Sequence, residues 1–296
     1  MKLPFATLDV FTEKRFTGNP LAVVFDADGL GDATMQTIAR EFGHPETVFV
    51  LKPEAAGSTA RVRIFTPAVE LPFAGHPTVG TALILALKGR GNAIVLEEKI
   101  GLVRCTAATT GADRGQARFL LPSLPKPAGA AASREAIAAA IALGVDDVDD
   151  KQLAPSRWTA GNTFTFVPVR GLDAICRCRP DDAKWDAAFE AADRSSAYVF
   201  CRETIDAGHD FHARMFGLRL GVYEDPATGS AAAAFAGLCA QALSLGDGEH
   251  RFIIEQGYEM GRPSQIELEL TMSGGKLTTP SIGGHAVVVT EGMIEA

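Results

Sequence analysis

Apolar and polar residues alternate, or β-branched residues cluster, over residues 4–11, 20–25, 47–51, 60–66, 93–98, 101–107 and 116–121, a pattern that predicts a run of short strands. Helical spacing is rarer. Met35, Ile38, Ala39 and Phe42 recur at helical intervals behind Asp32, a residue suited to an N-cap, and predict a helix over residues 32–42. A second helix is expected from Pro77, a proline that suits the first helical position, through the apolar run TALILAL to a stop at Gly89. Residues 122–132, PSLPKPAGAAA, carry three prolines and no period, which marks a linker. Beyond it the pattern predicts a helix near 133–143 and strands near 163–169, 196–201 and 210–216. An Ala-rich helix from Pro226 to about Leu245, capped by Asp225, comes next, and then strands near 250–256, 264–271 and 285–290. Mixed short strands and few helices predict an α+β fold.

The two sides of the linker can be laid on each other. Arg63-Ile64-Phe65 matches Arg214-Met215-Phe216, and Pro77, Gly80 and Ala82 match Pro226, Gly229 and Ala231. Gly18-Asn19-Pro20 leading into LAVVF resembles Gly161-Asn162-Thr163 leading into FTFVPV. The matches keep their order, so an internal duplication is expected, with one half over residues 1–121, a link at 122–129 and the other half over 130–283.

Composition narrows the function. The chain has 296 residues, 47% hydrophobic and 22% charged, which is the make-up of a globular protein. Its formal net charge of −8 and the absence of a long basic run argue against a nucleic-acid surface. The start, MKLPFATLDVF, has no signal-peptide core and no apolar stretch is long enough to span a bilayer, so no membrane partner and a cytoplasmic location are expected. Five cysteines without a C-x-x-C pair suggest neither a disulfide framework nor a zinc ribbon. His209 and His212 could be read as a metal pair, but on one strand a spacing of three points them to opposite faces, so no metal site is expected.

Chemistry is expected at the two matched turns, GHPTVGTA (75–82) and EDPATGSA (224–231). A helix start leaves backbone N–H groups without partners and carries about half a positive charge, which together favour an anion such as a carboxylate. In each turn a glycine, Gly80 or Gly229, taken as the fourth helical residue, precedes a hydroxyl residue, Thr81 or Ser230. If the halves face each other across a pseudo-two-fold, both helix starts converge on one small anionic substrate. Glu46, His76, His44, Asp225 and Glu224 are the proton-carrier candidates. Glu46, in HPETVFV, stands directly before an apolar strand, where partial desolvation raises a carboxyl group's pKa. His76 is placed at an N-cap, an unusual residue for that position. Asp225 is placed at the other cap.

At these residues the chain resembles the PhzF-like family of phenazine-biosynthesis isomerases. The resemblance is carried by Phe16-x-Gly18-Asn19-Pro20, Pro45-Glu46-Thr47-x-Phe49-Val50, Glu70-Leu71-Pro72-Phe73-Ala74-Gly75-His76-Pro77-Thr78 and Glu224-Asp225-Pro226-Ala227-Thr228-Gly229-Ser230-Ala231. It implies a diaminopimelate-epimerase-like fold of two pseudo-symmetric domains, each a mixed sheet around a central helix, with the last strand, about 284–296, completing the first. It implies catalysis without cofactor, Glu46 as acid/base with His76 and Asp225 assisting, and a carboxylate pocket shaped by Asn19, Gly75, Gly229 and Ser230. A homodimer is also implied. The expected activity is the relocation of a proton and a double bond on a small cyclic or unsaturated amino acid similar to trans-2,3-dihydro-3-hydroxyanthranilate. The alternatives are an epimerase or racemase of an amino-acid-like acid, and a binding protein that keeps the cleft but not the reaction. Pro45 stands where the family usually has serine, and Phe216-Gly217-Leu218 lacks a proline often found there.

Overall fold

The computed structural model of the protein describes residues 1–151, 153–190, 195–220 and 222–296. The chain divides into two compact units. The first comprises Met1–Pro122, Arg262–Gln265 and Ser281–Ala296, and the second Ser123–Gly261 and Ile266–Pro280.

In the first unit, strands β1 (Lys2–Val10), β2 (Asn19–Val24), β3 (Glu46–Leu51), β4 (Ala60–Phe65), β5 (Glu70–Leu71), β6 (Ala93–Glu98), β7 (Gly101–Thr109) and β8 (Arg114–Leu120) accompany helices α1 (Asp32–Phe42) and α2 (Gly75–Leu87). Eleven residues of α2, Gly75 to Leu85, are buried without a break, so this helix is apolar all round because sheet surrounds it. By contrast α1 is amphipathic and buries Met35, Ile38 and Ala39 against Phe49, Leu51 and Phe65. Strand β3 therefore reads as an unbroken apolar run. Phe49 and Leu51 face α1, while Val48 and Val50 point to the opposite side.

The second unit holds β9 (Lys126–Pro127), α3 (Arg134–Ala140), β10 (Ser156–Thr159), β11 (Thr163–Pro168), α4 (Leu172–Arg177), α5 (Asp182–Phe189), β12 (Ser196–Cys201), β13 (Phe211–Gly217), β14 (Val222–Asp225), α6 (Gly229–Ala242) and β15 (Gly248–Gln256). Strands β16 (Ser264–Ser273) and β17 (Lys276–Glu295) follow, and the stretch of β17 from Ser281 onward pairs with β8 and β1. Phe235, at the middle of α6, is ringed by Phe166, Phe200 and Phe211 at centroid distances of 5.3, 4.8 and 5.0 Å. Burying such a ring contributes about 1.5–3 kcal/mol. Helices α4 and α5 and strand β10 have no counterpart in the sequence pattern.

The strand pairing repeats. In the first unit β2 runs parallel to β3, β3 antiparallel to β4, and β4 antiparallel to β5 but parallel to β6. In the second, β11, β12, β13, β14 and β15 repeat those relations in the same order. Register carries the match to single residues. Arg61 lies across from Glu97 on β6, and His212, its counterpart, across from Glu255 on β15. Arg63 grips Glu70 of β5 with bonds of 2.8 and 2.9 Å, and Arg214 grips Glu224 of β14 with bonds of 2.7 and 2.9 Å. Each guanidinium also lies over the phenylalanine two residues on, at 5.1 Å from Phe65 and 4.8 Å from Phe216. Glu97 accepts the amides of Glu54 and Ala55, as Glu255 accepts those of Ile205 and Asp206. The duplication thus reaches the polar side-chain contacts, not only the chain path.

Candidate active site

In the first unit the site is assembled on the starts of β2, β3 and α2. Asn19 opens β2 and is fully buried, paired in the ladder with Val10. Glu46 opens β3 opposite Leu21. His76 is the second residue of α2, 4% exposed, with its Nε2 3.4 Å from Glu46 Oε2. The Pro20 carbonyl accepts a hydrogen bond from the imidazole, and since that partner does not take Nε2, the proton is assigned to Nδ1. Burial holds the His76 pKa near 3, and the nearby His44 pushes it in the same direction. His76 is therefore a neutral ring whose lone pair on Nε2 faces the Glu46 carboxyl group. A proton carried by Glu46 has an acceptor there.

The Gly18-Asn19-Pro20 turn is braced from beneath. Gly18 has φ of +68°, and a Cβ there would lie 2.4 Å from Thr12 Cγ2 and 2.5 Å from the Val10 carbonyl, so only glycine fits. Arg262 donates to the carbonyls of Gly18 (2.7 Å) and Thr17 (2.8 Å) and to Asp9 (2.5 Å). Burial raises the Asp9 pKa, and the Phe16 amide and Arg262 pull it back. Burial lowers that of half-buried His44, which Asp9 partly restores.

The helix starts differ from expectation. Helix α2 begins at Gly75, not Pro77, which makes Ala74 the N-cap and moves His76 off the cap into the first turn. Proline lacks an N–H anywhere in that turn, so it marks the turn without fixing its first residue. Gly80 is then the sixth helical residue, and a Cβ on it would lie 2.5 Å from Leu21 Cδ2 and 2.8 Å from Val10 Cγ2, so its smallness serves packing within the unit. Helix α1 is likewise capped by Gly31, with Asp32 inside.

In the second unit α6 starts at Gly229, with Thr228 as N-cap, and ends at Ala242. Asp225 is not its cap. Strand β14 runs on to Asp225, which pairs with Met215, and this holds its backbone extended where a helix start was expected. Its Oδ2 accepts the Thr228 hydroxyl at 2.6 Å. Gln256 closes the turn by donating to the Asp225 carbonyl (2.7 Å) and Thr228 Oγ1 (3.0 Å), while its own Oε1 accepts the Thr228 amide (3.2 Å). Asp225 is 8% exposed, and Gly229 is buried with Ser230 half-buried at the first two helical positions. The N-cap residue of neither α2 nor α6 makes a side-chain capping hydrogen bond, so the positive end of each helix dipole is not met by its own cap residue.

His209 and His212 do not point apart. His209 precedes β13 in a turn, and both imidazoles place Nδ1 2.7 Å from Glu255, which also receives two backbone amides. Asp206, His209 and Glu255 bring ligand-type atoms within 4.8 Å of one another. Four donors already occupy the two Glu255 oxygens, however, so the group is built as a hydrogen-bond hub, not a metal cradle. Four thiols, Cys105, Cys178, Cys201 and Cys239, are buried, and burial raises the pKa of each, with Cys178 and Cys201 reaching about 12. Sequence reasoning missed the Pro20 carbonyl, Asp9, Arg262, Glu98 and Gln256. Only Pro20 lay within a quoted motif.

A mixed sheet around a buried helix, repeated in each half, is the architecture of the diaminopimelate-epimerase-like class of α+β proteins, to which the chain belongs by fold. The family of phenazine biosynthesis-like proteins (PhzC-PhzF) matches residues 8–292, and the chain belongs to it. It is 48% identical to an uncharacterized isomerase of Mesorhizobium japonicum over 97% of this chain and 96% of that one. It is 34% identical to the trans-2,3-dihydro-3-hydroxyanthranilate isomerase of Pseudomonas fluorescens over 98% of each chain. The crystal structure of a PhzF-family phenazine biosynthesis protein from Bacillus anthracis superposes with a TM-score of 0.88 at 31% identity and full coverage of both chains. The protein is an isomerase of this family. Among the described residues no helix is long and apolar enough to cross a membrane.

Proposed function

We propose that the protein moves a proton, and with it a double bond, on a small carboxylate-bearing substrate similar to trans-2,3-dihydro-3-hydroxyanthranilate, with Glu46 as the acid/base. The ionised Glu46 takes a proton from a carbon made acidic by the adjacent unsaturated acid. The electron pair left behind shifts along the conjugated system, and the protonated Glu46 returns its proton to a different carbon, so the enzyme ends as it began. Between the two steps His76 Nε2 accepts a hydrogen bond from the Glu46 carboxyl group. In the first unit Asn19 and Gly75 are proposed as carboxylate-binding residues beside the Glu46–His76 pair, and in the second unit Gly229 and Ser230 are proposed to offer an anion-binding helix start, with Asp225 orienting the turn before Gly229. The carrying observation is the neutral, Pro20-locked His76 whose free lone pair stands 3.4 Å from Glu46 Oε2. Positioned acid/base groups of this kind contribute about 10²- to 10⁴-fold. The buried high-pKa thiols weigh against an epimerase that uses a pair of thiolate bases.

Proton NMR in D₂O with trans-2,3-dihydro-3-hydroxyanthranilate tests this. Deuterium should enter a new carbon with the wild type, and Glu46→Gln should slow that entry by about 10²-fold or more while ligand-induced shifts persist. Equal rates in the two proteins would refute Glu46 as the carrier.

A further inference from the structure

Glu98 ends β6 and is 7% exposed, with Oε1 2.8 Å from the Thr78 hydroxyl. That hydroxyl also lies 2.7 Å from the Ala74 carbonyl. A hydroxyl has one hydrogen and a carbonyl has none, so both contacts are full two-centre hydrogen bonds at the same time when Glu98 brings a proton of its own, and otherwise they share a single hydrogen. The second unit supports this assignment. The registers of β4 with β6 and of β13 with β15 make Gln256 the counterpart of Glu98, each ending its strand. Gln256 donates its amide to the Thr228 hydroxyl, which donates onward to Asp225. One half thus runs the relay from a permanent N–H donor; the other runs it from a carboxyl group, which donates only while protonated.

We propose that Glu98 is a positioning residue that works as a neutral acid, holding through Thr78 and the Ala74 carbonyl the helix start on which Gly75 and His76 sit. Burial pushes its pKa to about 8. The Thr78 hydroxyl and the α2 helix start favour the anion, but burial outweighs them. Thr78 faces it from α2 and the neutral thiol of Cys105 from β7. Lys99, Arg63 and Arg61 line the same groove, but the first two are engaged by Glu70 and the third by Glu54. Ionised Glu98 draws the hydroxyl hydrogen away from Ala74 and sets a negative charge beside a helix start suited to an anionic ligand. This role rests on the reading of Glu46 and His76 as the proton-handling pair, but its test does not.

The full chain carrying ¹³C- and ¹⁵N-labelled histidine is titrated from about pH 6 to about pH 9.5 while the His76 ring signals are followed. His76 itself stays neutral throughout, because its own pKa lies near 3. The wild type should show a step in those signals with a midpoint near 8, and Glu98→Gln, which gives the first unit the amide of the second, should show none. Glu98→Ala, which leaves the Thr78 hydroxyl no donor, should displace the signals at every pH, and Glu98→Gln should restore them. A step that persists in Glu98→Gln, or no step in the wild type, overturns the proposal. A labelled glutamate carboxyl carbon in the wild type gives an independent reading: one resonance should titrate near 8, and its absence also overturns the proposal. In the deuterium-exchange assay the same variant should lose the alkaline step in rate. If no exchange occurs with any acid tried, the function fails while the His76 titration still decides the role of Glu98.

Discussion

His212 offers the sharpest test of the polar core of the second unit. Its side chain is 0% exposed, yet its Nδ1 stands 2.7 Å from Glu255 and its Nε2 3.0 Å from Glu259. Burial alone would lower its pKa, but the two carboxylates prevail and raise it from 6.5 to about 9. The native state therefore holds a proton that the unfolded chain releases near pH 6.5. The stability so gained is fully present below pH 6.5 and is lost as pH rises through 9. A rise of that size corresponds to on the order of 3 kcal/mol. The depressed pKa values of Glu255 and Glu259 act below pH 4.5 and leave this window undisturbed. His212→Gln removes the titration, so the stability gap between wild type and variant should shrink by about 3 kcal/mol between pH 6.5 and pH 9. Both tryptophans, Trp158 and Trp185, belong to the second unit, so urea unfolding followed by their emission reports the unit that holds His212. A gap that stays constant across this window, or widens with pH, would refute the assignment of His212 as a buried imidazolium.

Other outcomes follow from single contacts. Gly18→Ala places a Cβ against the Val10 carbonyl at a left-handed φ, so the first unit should lose at least about 1–2 kcal/mol by calorimetry, and deuterium exchange should fall because Asn19 and Pro20 shift. Unchanged melting and exchange would show that the turn tolerates the strain. Arg214→Lys keeps the charge but not the two-pronged grip on Glu224 or the bonds to the Ile175 and Cys178 carbonyls, and should cost about 1–3 kcal/mol by tryptophan emission. A loss below about 0.5 kcal/mol would mean that the grip contributes little beyond its charge.

The matches that revealed the duplication were the ones set by backbone and packing. Arg63-Ile64-Phe65 and Arg214-Met215-Phe216 share a strand, a carboxylate partner and a ring beneath the guanidinium, and such demands keep residue types alike. Glu98 and Gln256 fill equal positions with different side chains and no common spacing to the paired turns, so only the strand register aligns them. Glu46 was legible as a candidate because it stands directly before an apolar strand, and His76 because histidine is an unusual N-cap, although α2 places it in the first turn instead. What locks His76 is a backbone carbonyl, at Pro20, and a carbonyl leaves no mark in a sequence. Helix starts misled for a related reason. Proline and aspartate signal a turn, while the first helical residue is decided by how far the preceding strand stays paired: β14 holds on to Asp225, whereas β5 lets go at Leu71. His209 seemed to point away from His212 because the alternating pattern ran past the point where β13 begins.

The acid in one half and the amide in the other make each unit a ready-made control for its twin. Two copies in one chain allow one turn to be held by an amide donor that does not titrate while the other answers to its surroundings, and an exchange of the two residues, Glu98→Gln with Gln256→Glu, would transfer that responsiveness from the histidine-bearing turn to the aspartate-bearing one.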